Sequence, residues 1–532
     1  MTRIVEADIC IIGGGITAAM VAEKVSQERD VRIVVVEAGD ETVPLERRAE
    51  RRQRTLDYGE NPWLRDHIED QTARGMMSRS MGVGGLAMHW GGTVPRFTPE
   101  DFRLRSMYGV GDDWPVDYDA LEPFYQEAEE RIGVAGHPGP PELNPRQKPF
   151  PMPGMPLSWN LERLKEWGER SGIPFWGNPV AKATVPYDGR SPCQRCDTCQ
   201  ICPTGAKYTP DFAFLRMIEA GRMEMLTRTL VRRLVLEEGS HRIHRAEAVD
   251  RDNPQEPVHF LARTFVLAAG YTWSPHLLLL STDRRFPDGL ANRSGMVGRY
   301  MTGHRSVGAQ VEVPMQLFPG MYARDSLLST QFQRPGSQDH YLRHDLRIWE
   351  STVGRVPRLR GDDGGLLLGD EILDDWRART TDRASARLRA YYDVIPDRES
   401  RLTLDAGLRN RWGDPLPSIQ FVDAPESVAL RGRTEESIRQ VFAGMVRAGG
   451  GTILSQRVDD TQDHPGGGCR MGDDPATSVV DGWGRTHDHE NLFVVGAPTL
   501  VSGGCANGTL TFAALSLRSA EEIGRDFSQR RS

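Results

Sequence analysis

The start of the chain alternates between apolar runs, a glycine-rich turn and a stretch with helical spacing. The segment ADICIIGGG has a continuous apolar run at residues 9–12, ITAAMVAEKVSQERD has the character of a helix, and VRIVVVEAGD is apolar again. This pattern predicts a strand, a turn, a helix and a second strand in succession. Such a unit is typical of a doubly wound α/β sheet.

Two later segments repeat the pattern. FVLAAGYTWSPHLLLLS predicts a strand, an Ala-Gly turn and a helix that starts near Ser274 and Pro275, a suitable cap and first-turn pair. NLFVVGAPTLVSGGCANGTLTFAALSLRSAEEI predicts a strand, a glycine-rich turn and an amphipathic helix. Strands of one sheet therefore come from the start, the middle and the end of the chain. The nucleotide-binding domain must be discontinuous.

The middle of the chain has a different pattern. Between residues 307 and 455, the runs VGAQVEV, SRLTLD and PSIQFVD alternate like strands, and residues 371–389 carry a charged helical pattern. Proline and glycine breaks separate these elements. The Pro-rich residues 139–188 predict a long irregular excursion. We expect a second domain here, built on an antiparallel sheet with helices.

The predicted fold class is α/β (α+β overall) with two domains, because 532 residues exceed the ~250–300 residues of one hydrophobic core. The discontinuous Rossmann-like domain is predicted to comprise residues 1–138, 189–306 and 456–532. The substrate-binding domain is predicted to comprise residues 139–188 and 307–455.

Composition and charge exclude several classes of function. The formal net charge of −8 is spread without long like-charged blocks, so nucleic-acid binding is not indicated. The N-terminus lacks the basic-then-apolar layout of a secretory signal. The longest uncharged stretch, residues 492–517, contains Pro498, four glycines and Asn507, so it does not predict a transmembrane segment.

The first turn carries a dinucleotide-binding motif. Gly13, Gly15 and Ala18 fit G-x-G-x-x-G/A between strand and helix, and Glu37 ends the next strand. The glycines let backbone N–H groups approach a pyrophosphate, and the acid accepts a hydrogen bond from a ribose hydroxyl. A second glycine-rich stretch, GVGGLAMHWGG at residues 82–92, suits close backbone approach to a large flat ligand. It favours FAD over NAD.

Four of the seven cysteines lie in CQRCDTCQICP, at Cys193, Cys196, Cys199 and Cys202. Structural zinc sites usually combine two C-x-x-C-like pairs separated by a longer arm. Disulfides across two-residue gaps are strained. The compact strip followed by proline instead approaches the ferredoxin spacing, with its last gap one residue shorter. It favours an iron–sulfur cluster, with zinc and unligated thiols as alternatives.

Taken together, these segments resemble the glucose-methanol-choline (GMC) family of FAD oxidoreductases. The resemblance is carried by GGGITAA, GVGGLAMHWGG, GYTWSPHLLLLS, HPGGGCRMG and CANGTLTFAALSLRSA. YGVGDDWPVDYDALEPFYQEAEERIGV, PYDGR and CPTGAKY are similar to the bacterial membrane-linked sugar dehydrogenases of that family. Beyond the first turn, the glycine-rich stretch and this resemblance imply cofactor contacts from Gly82, Gly85, His89, Trp90, Val231, Ala269, Gly270, Gly496, Ala497, Asn507, Gly508 and Thr509.

The resemblance implies which residues oxidise an alcohol. His464, in HPGGGCRMG, matches the catalytic histidine of the family, and imidazole has an ordinary pKa of about 6.5, which suits a general base. Asn507 matches its partner position and is expected to hydrogen-bond the substrate oxygen. Gly508 departs from the pattern, since many relatives have proline there. The alternative is that His464 only pairs with backbone in a tight turn.

His89 lies in GGLAMHW, which is similar to the segment of pyranose oxidases where a histidine is covalently joined to flavin. The sugar dehydrogenases do not always form that bond. Noncovalent flavin contact and a covalent link both stay open.

The resemblance also implies the path of the electrons. Sugar dehydrogenases of this branch carry a cluster beside the flavin, although their cysteine run starts with two adjacent cysteines, which leaves 4Fe-4S or 3Fe-4S open here. A cluster argues for a dehydrogenase with a distant acceptor, a cytochrome c or a quinone. A small twin-arginine-exported subunit would carry the chain to the periplasm; a cytoplasmic oxidase that uses oxygen and an electron carrier without an alcohol site are the alternatives.

The substrate side is expected to bind a sugar or glycoside, with oxidation at ring carbon 3 of a secondary alcohol as the first hypothesis. That choice rests on the resemblance alone. Aromatic and histidine residues of the second domain are candidate sugar contacts: Tyr391, Tyr392, His340, His344 and Trp349.

Overall fold

The computed structural model describes residues 2–28, 30–60, 80–318, 325–334, 342–351, 359–361, 363–377, 384–423 and 425–529. The helices, labelled in chain order, are α1 Ile16–Glu28, α2 Leu45–Tyr58, α3 Leu104–Tyr108, α4 Tyr118–Ile132, α5 Trp159–Glu169, α6 Asp211–Glu219, α7 Gly270–Leu280, α8 Asp370–Arg377, α9 Pro425–Gly449 and α10 Thr509–Gln529. Within these ranges, no helix has the length and apolar composition needed to cross a membrane.

The strands, also in chain order, are β1 Arg3–Ile12, β2 Ile33–Val36, β3 Ala135–Gly136, β4 Met152–Pro153, β5 Trp176–Gly177, β6 Met223–Leu226, β7 Thr229–Leu236, β8 Ile243–Asp250, β9 Pro257–Leu267, β10 Thr302–Val313, β11 Leu327–Ser329, β12 Leu346–Glu350, β13 Ala384–Asp393, β14 Arg401–Arg409, β15 Pro415–Gln420, β16 Thr452–Gly466 and β17 Leu492–Val494.

The first sheet has the order β6-β2-β1-β9-β8-β7, and β17 also pairs with β9. The pairs of β1 with β2 and β9, of β2 with β6, and of β9 with β17 are parallel, as expected where helices cover both faces. β2 and the last four residues of β1 and of β9 are buried, and the thiol of Cys10, which forms no disulfide, packs among them. Strands from the start, middle and end of the chain meet here, so the predicted discontinuous nucleotide-binding sheet is confirmed.

The second sheet is antiparallel, with the order β16-β10-β13-β12-β11-β5. Apolar side chains from α5 and α9 pack on one face of it, with Trp167 and Phe442 fully buried. The antiparallel second sheet is therefore confirmed, while the exact domain boundaries stay predictions. Of the three strand-like runs, only VGAQVEV belongs to this sheet. SRLTLD and PSIQFVD fall in β14 and β15, which pair with each other and pack on α7.

The predicted helix over residues 371–389 is wrong in its second half. Helix α8 ends at Arg377, and the chain re-enters the second sheet as β13. Along β13 the side chains of Ala386, Leu388 and Ala390 are buried, whereas Arg387 and Arg389 alternate with them on the other face. This period of two is that of a strand, and it overrides the helical propensity of arginine.

Two further local predictions need correction. Helix α7 begins at Gly270, directly after the Ala-Gly turn, rather than near Ser274, and Pro275 lies inside it. The region 139–188 contains α5 in addition to irregular chain. The signal for α5 was present, because the Ser158 hydroxyl accepts a hydrogen bond from Leu161 N at 3.1 Å and caps the helix.

Candidate active site

A cavity of about 620 Å³ lies at the carboxyl ends of β1, β2 and β9. Ile12, Val36 and Ala268, which end or directly follow these strands, line it. The cavity is within the usual size range of small-molecule sites. Its position matches the rule that ligands of open α/β sheets bind beyond the carboxyl ends of the strands.

The first glycine turn and Glu37 form one connected wall of the cavity. Gly14 N donates to Glu37 Oε2 at 2.6 Å, and Gly39 N donates to Oε1 at 2.7 Å. Burial raises the pKa of Glu37 above its ordinary value, although these two N–H groups act against the rise. Each carboxylate oxygen keeps lone-pair capacity for a ribose hydroxyl, so the predicted role is chemically possible.

The glycines at the cavity fall into two physical classes. A Cβ on Gly13, whose φ is +105°, would meet Ala268 O at 2.7 Å, so this glycine serves the packing of the turn against β9. A Cβ on Gly15, Gly91 or Gly270 would meet nothing within 4 Å. Backbone without side chains therefore faces open space at these three positions, which fits close approach of a dinucleotide cofactor.

The second glycine-rich stretch joins the first across the cavity. Gly84 N donates to Gly14 O at 2.7 Å, and a 3₁₀ turn over Gly85–Met88 follows. His89 and Trp90 come next and line the cavity. Trp90 Nε1 donates to Tyr208 O at 3.0 Å, which fixes the indole against the loop that follows the cysteines. His89 thus lies on the cavity wall, and its contact or link with a flavin stays a prediction.

The remaining predicted cofactor residues divide between cavity and core. Ala18 is fully buried in the core, and Gly82 pairs with Asp40 at the rim of the sheet. A Cβ on Gly496 would meet Thr17 Cγ2, and one on Gly508 would meet the Phe512 ring, so both permit close packing. These four do not line the cavity. The predicted residues that do are Gly13, Gly15, Glu37, Gly85, His89, Trp90, Val231, Ala269, Gly270, Ala497, Asn507 and Thr509.

The two predicted catalytic residues meet in the cavity. Asn507 Nδ2 lies 2.7 Å from His464 Nε2. His464, near the end of β16, has φ +46°, a left-handed conformation that non-glycine residues rarely adopt and that often marks functional positions. The buried Asn507 Oδ1 has no hydrogen-bond partner among the described residues. A substrate hydroxyl entering here finds one acceptor nitrogen and one amide.

The sequence did not reveal the second partner of His464. His304 Nε2 lies 2.8 Å from His464 Nδ1. The His304 side chain is fully buried, on β10 beside β16. No local motif marks His304; only the pairing of β10 with β16, which are far apart in sequence, brings the two rings together.

The candidate sugar contacts do not line the cavity. Tyr391 is buried against the His304 ring, Tyr392 donates to Glu435 Oε1 at 2.7 Å, and His344 stacks on Phe332. Trp349 lies on β12 with Arg387 over its ring. His340 falls outside the described residues. The prediction is therefore wrong for the four described residues: Tyr391, Tyr392 and His344 are buried in packing contacts, and Trp349 is partly exposed on the face of the sheet that carries Arg387.

Other side chains take their place at the cavity wall. Trp273 and His276 on α7 and the turn between β14 and β15 line it. His276 Nε2 lies 2.8 Å from Pro415 O, and burial lowers the pKa of His276, so the ring is neutral and donates. Arg232 binds Asp414 with two contacts of 2.8 and 2.6 Å. These contacts hold the hairpin turn over the cavity.

The cysteine segment lies behind the His89 wall. Lys207 Nζ, five residues after Cys202, donates to Met88 O at 2.8 Å and to Trp90 O at 3.0 Å. Ile201 packs on Met88. The segment that carries the four cysteines is thus attached directly to the backbone of the cavity wall.

No disulfide joins the four cysteines, and over the described part of the chain no three His, Cys, Asp or Glu side chains converge as a metal site. Burial raises the pKa of Cys193 and Cys199. Burial also raises that of Cys202, but the N–H of Lys207 and the Thr204 hydroxyl bring its pKa below the ordinary value. As arranged, the thiols do not form a closed ligand set.

Two buried lysines lie beside the thiols, and the carboxylate of Asp325 pairs with one of them, Lys182, at 2.7 Å. The ammonium groups of Lys182 and Lys207 are almost fully buried and interact electrostatically with Cys199. Burial lowers the pKa of Lys207 to about 7. Nearby positive charge favours thiolate over thiol and favours a bound anion.

The matches to known proteins all indicate the same family. Two GMC oxidoreductase models match residues 396–516 and 104–305. The chain is 31% identical to the fructose dehydrogenase large subunit of Gluconobacter japonicus, over 98% of each protein. It is 28% identical to 6'''-hydroxyparomomycin C oxidase of Streptomyces lividus, over 97% of this chain and 91% of that protein.

Solved structures agree on the fold. Pyridoxine 4-oxidase from Mesorbium loti superposes with a TM-score of 0.64 at 20% identity, covering 97% of this chain and 99% of that one. The glycine-lined cavity lies in a fold shared with that oxidase, and both family models match. With a relative 31% identical along nearly its whole length, the chain belongs to the GMC family of FAD-dependent oxidoreductases that act on CH–OH groups.

Proposed function

We propose that the protein is a dehydrogenase that oxidises a secondary alcohol of a sugar or glycoside to a ketone. The observation that carries this proposal is the contact of His464 with Asn507 at the wall of a glycine-lined cavity. The glycine cradle suits FAD, which when bound supplies the acceptor for the hydride of the alcohol carbon. The cofactor residues are those predicted ones that line the cavity.

The protein's part in the reaction is to take the hydroxyl proton. Asn507 Nδ2 faces His464 Nε2, so the amide donates and Nε2 carries a lone pair. Once the bound alcohol takes the place of the Asn507 N–H at Nε2, that lone pair accepts the hydroxyl proton while the hydride leaves the alcohol carbon for the flavin, and His464 becomes imidazolium. Asn507 can then hold the substrate oxygen in place.

The substrate class is proposed from the relatives. By their names, fructose dehydrogenase and 6'''-hydroxyparomomycin C oxidase act on a sugar and on a sugar-derived compound. Oxidation at ring carbon 3 is the narrower proposal and rests on the family resemblance. Screening methyl glucosides and fructose, followed by NMR of the product, tests it; a product oxidised at another carbon would reject the regiochemistry and keep the reaction type.

We propose further that the cysteine segment holds an iron–sulfur cluster, 4Fe-4S or 3Fe-4S. The compact spacing, the two buried lysines and the attachment to the cavity wall support this. Because the thiols do not converge as arranged, their side chains would have to rotate to bind iron. Iron and acid-labile sulfide in anaerobically purified protein test it. Cys199→Ser should lose both and keep flavin, while Cys10→Ala should keep all three.

The proposed electron acceptor is a cytochrome c or a quinone, reached with a small exported subunit in the periplasm. The name of the fructose dehydrogenase large subunit supports a multi-subunit assembly. An oxygen-using sugar oxidase is the second candidate, favoured by the name of 6'''-hydroxyparomomycin C oxidase. Peroxide formed in proportion to sugar oxidised would favour the oxidase; dye reduction without peroxide would favour the dehydrogenase.

A third candidate is an electron-transfer protein without an alcohol site. The His464–Asn507 pair in the cavity speaks against it. It would gain support if no sugar or glycoside reduced a dye through the protein, whereas the dithionite-reduced protein still passed electrons to the dye.

A further inference from the structure

Two histidines face each other across neighbouring antiparallel strands. His304 on β10 and His464 on β16 have their rings 4.8 Å apart, with Nε2 of the former 2.8 Å from Nδ1 of the latter. The β10–β16 register is irregular on both sides of His304, between Thr302 and His304 and between His304 and Ser306. These bulges re-aim the two side chains toward each other, as bulges near active sites commonly do.

We infer that His304 is a positioning residue that fixes the tautomer and the ring orientation of His464. The inference rests on the proposed function and concerns how the proposed base is prepared, not whether it acts. His304 touches neither the cavity nor a substrate, since it is fully buried and does not line the cavity wall.

The two contacts of His464 define one proton arrangement. Asn507 Nδ2 donates to Nε2 of His464, so this nitrogen carries no proton. A neutral His464 then carries its proton on Nδ1 and donates it to His304 Nε2. The basic lone pair stays on the nitrogen that faces Asn507 and the cavity. The opposite arrangement, with His304 donating, would place a proton on Nε2 and remove the base.

Aromatic and cationic groups lie next to the His304 ring. Its ring packs on Tyr391 at 4.4 Å, and the guanidinium groups of Arg347 and Arg389 lie over that tyrosine at 4.6 and 4.3 Å. A second positive charge beside them, in a fully buried place, is disfavoured. The charge that forms when His464 takes a proton therefore stays on His464, where the acceptor His304 Nε2 stabilises it.

Other charged groups around the pair are shared by every variant of His304. Arg389 also contacts Asp459 of β16, and Arg347 contacts Asp345. Asp393 is the cross-strand register partner of His304 on β13, and burial raises its pKa to about 7. His304→Asn and His304→Gln both carry a neutral amide at the position that pairs with Asp393, so the two variants are compared with each other as well as with wild type.

The test compares His304→Gln with His304→Asn in the full-length FAD-loaded protein. Both variants are amides. The glutamine side chain places its oxygen where Nε2 of His304 lies, so it can accept a hydrogen bond from His464. The asparagine side chain is too short to do so. The rate of anaerobic flavin reduction by D-fructose and methyl glucosides is measured between pH 5 and pH 9, with dithionite reduction and FAD content as controls for an intact flavin site.

We expect His304→Asn to slow sugar-dependent flavin reduction roughly 10- to 100-fold, and His304→Gln to restore most of the rate. Loss of the acceptor makes imidazolium less favourable on His464, so the acid limb of the profile should move to lower pH in His304→Asn only. Equal rates in both variants, with an unmoved acid limb, would overturn the inference, whether those rates are high or low.

Failure of this inference can be told apart from failure of the proposed function. If His464→Ala is inactive and His304→Asn behaves like wild type, only the role of His304 is rejected. If His464→Ala keeps the wild-type rate, the proposed base itself is rejected. If His304→Asn does not fold, His304→Phe, which keeps the ring shape without an acceptor, replaces it in the comparison with His304→Gln.

Discussion

Lys207 Nζ donates a hydrogen bond to Met88 O at 2.8 Å, and this contact joins the cysteine segment to the wall of the cavity. The ammonium is almost fully buried, and a second hydrogen bond, to Trp90 O, holds the same wall. One side chain thus connects the place proposed for the flavin with the place proposed for the cluster.

This lysine predicts a pH dependence of stability. Burial lowers the pKa of Lys207 from 10.5 to about 7 in the folded protein. Between these values the unfolded chain binds more protons than the folded one, so the Lys207 contribution to the free energy of unfolding rises with pH and is lowest below pH 7. Lys207→Met should lack this rise. Melting temperatures of both proteins from pH 7 to pH 9 measure it, and parallel curves would contradict it.

Two neighbouring glycines should fail in different ways when a side chain is added. Gly15→Val points into open space, so we expect normal folding but loss of bound FAD, measured by flavin absorption per protein. Gly13→Ala would clash with Ala268 O and strain a positive φ, so it should lower the free energy of unfolding by roughly 1–3 kcal/mol.

Gly444→Ala in α9, where a Cβ meets nothing within 4 Å, is the matched control: it should keep the FAD content and raise the free energy of unfolding by about 0.5–1 kcal/mol, because alanine favours a helix interior over glycine. Full FAD content in Gly15→Val would contradict the proposed close approach of FAD to the glycine-lined wall of the cavity.

The ion pair of Arg232 with Asp414 should retard cofactor release. It holds the turn between β14 and β15 over the cavity through two short contacts. Arg232→Met should speed FAD dissociation roughly threefold to tenfold, the equivalent of about 1 kcal/mol for a partly exposed pair. Dissociation is followed by flavin fluorescence after dilution. Arg233→Met, at the next position, is the control. Equal rates of FAD release in the two variants would contradict a role of the Arg232–Asp414 ion pair in retaining the cofactor.

Asn507 should matter for rate more than for cofactor binding. Removing a donor aimed at a reacting oxygen typically costs about 10²–10³-fold in kcat. Asn507→Ala should therefore slow flavin reduction by about that much while FAD content stays unchanged. Stopped-flow reduction at saturating sugar checks this. A loss of FAD without a loss of rate per bound flavin would instead leave Asn507 with a cofactor role alone.

The local motifs could be predicted from the sequence because each of them is defined by residues that lie close together in the chain. The first strand and turn, with Gly13 and Glu37, follow from a pattern within forty residues. His464 and Asn507 were recognised by motif resemblance. His304 was not, because its importance arises from the pairing of two strands that are far apart in the chain.

The errors have similar causes. Arg387 and Arg389 suggested a charged helix, and only the sheet around them shows why their spacing of two is that of a strand. The sequence predicts a sugar contact at Tyr391, since an aromatic residue on a half-buried sheet can face either side. Tertiary packing decides which side it faces, and it places Tyr391 against His304. For the cysteines, the spacing predicts ligand identity but not the side-chain rotamers that would close a site.

The role of His464 in sugar oxidation is tested by anaerobic mixing of the FAD-loaded protein with sugars and glycosides, in wild type and in His464→Ala. We expect at least one sugar to bleach the flavin band of wild type, and to bleach that of His464→Ala about 10²–10⁴-fold more slowly at equal FAD content. Bleaching of His464→Ala at the wild-type rate, or no bleaching of wild type by any sugar or glycoside, would contradict it.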